Sequence, residues 1–301
     1  MASAAPASNV APKSALRLVK PTSTFGAVWR RLKHNKPAAV SAVIVILLML
    51  VAIFAPILAP YGYDQSIIQD AGQFPNPKHL LGTDMLGRDL LSRLIYATRS
   101  SILVAFAVQL LALIVGVPFG FVAGLKRGLA ENALNMVVMV FTALPGFLFS
   151  LFLLTAFGAG IPQLIFALVV TTWIGYARIM RAEVLRLRNR DFVLASQALG
   201  AGLWHISVRH LLPNALTALI IAVALGIPGT IYAEAGLSFL GLGIRDPIPS
   251  WGKMISDGIP TLRLFWHLIL FPLLSLSITT LSFMFLADAL RDALDPSNIR
   301  R

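Results

Sequence analysis

The chain has 301 residues, of which 57% are hydrophobic and only 13% charged. The charged share is about half the quarter usual in soluble globular proteins, so a water-facing fold could not cover its own surface. The composition and a mean hydropathy of +0.79 therefore specify an integral membrane protein. Net charge is +12, from 25 Lys and Arg against 13 Asp and Glu. In a soluble chain that excess would suggest nucleic acid; here it belongs at the ends of membrane spans, and no nucleic-acid partner is expected. Cys is absent, which excludes disulfides, thiolate metal ligands and a Cys nucleophile.

Residues 1–36 read as a basic cytoplasmic tail, rich in Ala, Ser and Pro to about residue 24 and then carrying Trp29, Arg30, Arg31, Lys33 and Lys36. Pro37 can open a helix. Ala38–Ala59 is an apolar run of about 22 residues, the length of a bilayer span, and reads as an uncleaved first helix. Further apolar runs cover Ser101–Leu125, Ala133–Phe157, Pro162–Ala177, Asn214–Ala235 and His267–Ala287. The expectation is an all-α chain of about six transmembrane helices, the fourth of them short. With a cytoplasmic N-terminus and alternating spans, 18 of the 25 Lys and Arg fall inside, which satisfies the positive-inside rule. Both termini are then cytoplasmic.

Three segments are not spans. Residues 60–100 lie outside, and Arg88–Arg99 aligns Leu90, Leu91, Leu94 and Ile95 as if on a helix at the interface. Residues 236–266 also lie outside and are broken by Gly236, Gly241, Gly243, Pro247 and Pro249, so a partly re-entrant course is expected. Residues 178–213 form the longest cytoplasmic loop.

Enzyme chemistry finds no support. No GxxxxGK[ST] or GxGxxG loop is present to hold a nucleotide, no HExxH occurs, and no His pair has metal-ligand spacing. Gly116, Gly120, Gly124 and Gly128 form a small-residue stripe suited to close helix packing. Pro118, Pro145, Pro228 and Pro272 sit within apolar runs, where each permits a kink. Glu234 is the one acid near the end of an apolar run; it is either a gate or pathway group or a structural partner for the glycine-rich backbone after it.

In the cytoplasmic loop, Asp191 is expected to cap a short helix over Phe192–Leu199, with Gly200 as its left-handed stop. Leu203–Leu212 would form a second short helix ended by Pro213. A short apolar helix facing the cytoplasm needs a groove on a partner, or else rests on the membrane surface.

This loop resembles the signature of the inner-membrane permeases of ABC importers, Glu-Ala-Ala, three residues, Gly, then a gap to Ile-x-Leu-Pro. Here it stands as Leu194-Ala195-Ser196-Gln197-Ala198-Leu199-Gly200 and ends in Leu211-Leu212-Pro213, with Leu194 in place of the Glu. Gly82-Thr83-Asp84-Met85-Leu86-Gly87-Arg88-Asp89, Leu237–Gly243 followed by Trp251-Gly252, and Asp288–Pro296 are similar to segments of the second (C-type) permease of the dipeptide/oligopeptide/nickel group.

The resemblance implies a type I importer permease fold in the cell inner membrane: residues 37–100 as first helix and extracytoplasmic segment, 101–292 as the transmembrane domain, and 293–301 as a cytoplasmic tail. It further implies a homologous sister permease, two cytoplasmic ATPase subunits that use ATP and Mg, and an extracytoplasmic substrate-binding protein. No cofactor is expected on this chain. The coupling residues would be Asp191, Ala195, Ser196, Leu199, Gly200, Arg209 and Pro213, and the outer-face motif Gly82, Asp84, Gly87, Arg88 and Asp89. Dipeptides or oligopeptides are the expected cargo, moved by alternating access. Nickel or another small solute is the alternative within the family, and an ion-coupled secondary transporter the alternative outside it.

Overall fold

The computed structural model describes residues 35–126 and 128–294. The expectations for the tails therefore fall almost wholly outside the described residues. Ten α-helices and no strand occur among those residues. They are α1 (Lys36–Leu58), α2 (Leu90–Leu125), α3 (Leu129–Ala143), α4 (Gly146–Phe157) and α5 (Ile161–Leu187). After these come α6 (Asp191–Ala198), α7 (Leu203–Ile206), α8 (Leu212–Phe239), α9 (Trp251–Gly258) and α10 (His267–Leu294). Five stretches are long and apolar enough to cross a membrane, or six if the bent pair α3–α4 is one span.

α1 begins where the sequence places it, with Pro37 in its first turn and the Asn35 side chain accepting from the Ala38 amide. Its Val40, Val43, Ile46, Leu47, Ile53 and Ile57 remain exposed, as lipid-facing side chains should. Elsewhere the structure corrects four expectations. Arg88–Arg99 is not a separate interfacial helix: Asp89 caps α2, which runs unbroken for 36 residues, because nothing between Leu90 and Leu125 breaks the hydrogen-bond ladder except Pro118. At 1.5 Å per residue α2 is ~54 Å long, well beyond the ~30 Å hydrocarbon layer.

The third apolar run is two helices bent by 83° at Leu144–Pro145, since Pro145 cannot donate to the preceding turn. The fourth span is not short, because α5 continues through Arg178, Arg181 and Arg186 to Leu187. Finally, α7 is not closed off from the next span: a π-helical turn, Ser207–Leu211, joins it to α8, so that Leu203–Phe239 runs on past Pro213. The wider turn accommodates a proline without an N–H.

The tightest contact is α2 against α5. A Cβ on Gly116 or Gly120 would overlap the Trp173 or Ala177 carbonyl, and one on Gly124 would lie 2.7 Å from Val184 Cβ. Three glycines of the stripe thus let two backbones meet, as small residues do in membranes. The fourth, Gly128, instead turns the chain into α3 at φ +88°. α1, α8, α9 and α10 pack around the other side of α2 through Ala97, Ile102, Ile231, Trp251 and Phe283. Because Gly124 meets Val184, the C-terminal ends of α2 and α5 share one end of the bundle; the N-terminus of α2 lies at the other.

Candidate functional site

At the end of the bundle reached by α5, Arg190 precedes α6 and supplies no side-chain cap. Asp191 is therefore the first helical residue rather than the cap, placed where its charge opposes the positive end of the helix dipole. Val193 is fully buried against the α5–α8 core, which fastens α6 to the bundle. Its outward side is apolar and open, with Phe192 43%, Leu194 49% and Leu199 88% exposed. Ala195 and Ala198 lie on the same open surface and Ser196 is half-buried. Leu203 and the 81%-exposed Trp204 extend this surface from the next turn.

Gly200 stands at φ +82°. Its amide donates to the Gln197 carbonyl at 2.9 Å and the Ala201 amide to the Ser196 carbonyl at 3.0 Å, the paired bonds of a Schellman stop. A Cβ there would meet nothing within 4 Å, so backbone conformation alone calls for glycine. Arg209 is exposed in the π turn and Pro213 is exposed on the first turn of α8, so both border the α6 surface.

The outer-face motif is at the opposite end, and it works on the chain's own backbone. Gly82 (φ +86°) and Gly87 (φ +71°) leave no room for a Cβ beside the Gln73 and Ile67 carbonyls. Asp84 accepts from the Leu86 and Arg88 amides at 2.9 Å and from Arg88 Nε at 2.6 Å. Asp89 caps α2 through the Ser92 amide and hydroxyl, and holds buried His79 Nδ1 at 2.9 Å. The Lys78 ammonium, donating to Asp70 at 2.5 Å, holds that carboxyl below its ordinary value of 3.8.

From the motif a charge network crosses to α9. Arg88 Nη1 lies 3.6 Å from Asp246, and Lys253 Nζ lies 3.4 Å from Asp246 and 2.7 Å from Asp257. Burial opposes the Lys253 charge, but Asp257 and Asp246 outweigh it and raise the ammonium above its ordinary range.

Glu234 is fully enclosed. Its carboxylate accepts from Ser101 on α2 at 2.8 Å and from Ser238 one turn along α8 at 2.7 Å. Ser238 Oγ in turn accepts from the Ile244 amide at 3.2 Å. The acid thus ties α2, α8 and the turn after α8 together. Sequence reasoning missed its serine partners and missed Gln109, which bonds Tyr176 of α5 and Thr230 of α8 in the middle of the bundle. Gln109 in an otherwise apolar run was the available signal.

Residues 116–300 match the model of the binding-protein-dependent transport system inner membrane component family. The chain belongs to that family. Residues 23–77 match the N-terminal transmembrane domain of oligopeptide transport permease C. Among relatives, the chain is 40% identical to the dipeptide transport system permease protein DppC of Bacillus subtilis (strain 168), over 89% of this chain and 84% of that protein. It is 38% identical to the oligopeptide transport system permease protein OppC of the same strain, over 88% and 87%. A solved structure of the inward-facing MetNI methionine ABC transporter has a permease chain of like fold, with TM-score 0.56 and 18% identity, covering 68% of this chain and 98% of that one. The family resides in the inner membrane, and the protein is a multi-pass permease of it.

Proposed function

We propose that the chain is one permease subunit of an ATP-driven importer of dipeptides or oligopeptides, paired with a homologous sister permease. Two cytoplasmic ATPase subunits would hydrolyse ATP with Mg, and an extracytoplasmic binding protein would deliver the peptide. The names of the relatives at 40% and 38% identity support the peptide assignment. The single observation that carries the mechanism is the open apolar surface of α6, held by buried Val193 on one side and stopped by Gly200 at its end. Such a surface at a polar end of the bundle has no lipid to cover it and fits a groove on a partner.

In this reading ATPase closure pushes on α6, and the push travels through Val193 into α5 and α8 as a rigid-body movement between outward- and inward-open states. Asp191, Ala195, Ser196, Leu199, Gly200, Arg209 and Pro213 form the coupling region. Both termini and residues 178–213 are cytoplasmic. Gly82, Asp84, Gly87, Arg88 and Asp89 shape the outer cap that meets the binding protein, and Glu234 is a structural tie rather than a gate. The test is uptake of labelled dipeptide into proteoliposomes holding all subunits, with ATP inside. ATP-dependent accumulation that requires the binding protein is expected. A complete complex that hydrolyses ATP and accumulates another solute but no peptide would overturn the substrate assignment.

A further inference from the structure

α3 touches the bundle along a narrow seam, where Leu134, Val138 and Phe141 meet Ala177 and Trp173. It leaves a groove on each side of that seam, and the two differ in chemistry. The groove towards α2 is lined by Pro118, Phe119, Val122, Val137 and Trp173 and suits lipid tails. The groove towards α5 is mixed, with polar and charged side chains among apolar ones. It consists of two adjoining cavities of about 810 and 370 Å³ that share Thr142, Gly175 and Arg178. That is the range of small-ligand sites, about 300–1,000 Å³. Asn135, Thr142 and Arg178 are exposed in it, so hydrogen-bonding groups and one cation line the groove where α5 nears its cytoplasmic end.

The α5 wall has a pattern of its own. Thr171, Gly175, Arg178 and Ala182 recur at helical spacing along one face, while Ala177, Met180 and Val184 of the same helix are fully buried. Three of these four residues are small and the fourth carries a guanidinium, while Ile174, Ile179 and Arg181 of α5 also border the cavities. Gly175 has no packing reason to be glycine, since a Cβ there would meet nothing within 4 Å. A helical glycine is costlier than alanine; what it gains here is an open channel. Arg181 nearby is paired with Glu131, but Arg178 has no ion-pair partner among the described residues. None of the residues lining either cavity is acidic.

We propose that the α3–α5 groove is this chain's wall of the translocation path and that Arg178 receives the carboxylate of the passing peptide. The inference rests on the peptide-permease reading above. This chain lacks Cys, so in an importer whose other subunits are also freed of Cys a single introduced thiol reports its own surroundings. The experiment labels Gly175→Cys in the complete importer during ATP turnover, using anionic and cationic water-soluble methanethiosulfonates. Both should react, the anionic reagent several-fold faster, and Arg178→Gln should abolish that preference. Arg178→Gln should also lower peptide uptake per assembled complex about tenfold at limiting peptide, whereas Arg178→Lys retains most of it.

Reactivity of Gly175→Cys in the isolated chain but not in the importer would make the groove a sister-permease contact and overturn the proposal. Reaction with only a lipid-soluble maleimide would overturn it in favour of lipid. So would an absence of anion preference, or parental uptake by Arg178→Gln. If the parental complex moved no peptide at all, the substrate reading would fail while the labelling still reported on the groove.

Discussion

Glu234 shows how a buried charge is made tolerable at the scale of one residue: two hydroxyls donate to it, and the backbone of the following turn is anchored through one of them. Glu234→Gln keeps shape and hydrogen-bonding capacity and should leave peptide uptake per assembled complex near the parental rate. Glu234→Ala leaves Ser101 and Ser238 without their acceptor, at about 1–3 kcal/mol, and should lower the yield of folded chain in a thermal-stability assay. Loss of uptake by a fully assembled Glu234→Gln complex would show that the charge itself serves transport. Asp70 offers a second residue-scale test. Its folded-state carboxyl is acidified chiefly by the hydrogen bond from Lys78, so the pair stabilises the fold above the unfolded value of 3.8 and loses that contribution as pH falls through the lower, folded one. The hydrogen-exchange protection of residues 67–83, taken relative to the intrinsic rate at each pH, should therefore fall on acidification below about pH 4, and Lys78→Met should weaken that dependence. An unchanged pH profile in Lys78→Met would remove the pair from the account.

At the scale of elements, some boundaries were legible in the sequence and others were hidden in it. Asn35-Lys36-Pro37 and Gly200 act through local backbone chemistry, a cap and a positive φ, and local chemistry is what a sequence displays. The glycine stripe was legible as a packing face for the same reason: its spacing is its geometry. The extent of α2 and α5 was not, because hydropathy marks where a helix meets lipid and says nothing about where its hydrogen bonds stop. Both helices carry charged residues past the apolar run: Arg93 and Arg99 near the start of α2, Arg178 to Arg186 at the end of α5. The serine partners of Glu234 and the Arg88–Asp246 contact join residues far apart in the chain, and no periodicity records such pairs. A ~54 Å α2 should project its first turns beyond the hydrocarbon. Arg99→Cys, exposed near that end, should be labelled in intact spheroplasts by an impermeant thiol reagent, whereas Ser196→Cys should be labelled only after lysis. Labelling of Ser196→Cys from outside would reverse the orientation proposed here.

The whole molecule is a bundle with different business at its two ends, joined by the glycine contact of α2 and α5. One end carries a cap, in which glycines with positive φ and a network of three acids (Asp84, Asp246, Asp257) and three cations (Arg88, Arg93, Lys253) fasten residues 60–89 to α9. The other presents α6, whose apolar side chains face outward from a helix anchored by Val193. In the proposed mechanism the work of ATP hydrolysis reaches the permease through this contact. The most direct measurement is peptide uptake against ATP hydrolysis in reconstituted complexes bearing Ala195→Trp or Gly200→Val, with assembly checked by pull-down. Ala195 is exposed, so a larger side chain disturbs the partner's fit and not the chain's own core, while a β-branched residue at φ +82° redirects the end of α6 at ~1–3 kcal/mol of backbone strain. Both assembled complexes should lose uptake out of proportion to ATP hydrolysis. Peptide import at the parental rate by both would contradict the assignment of α6 as the coupling element.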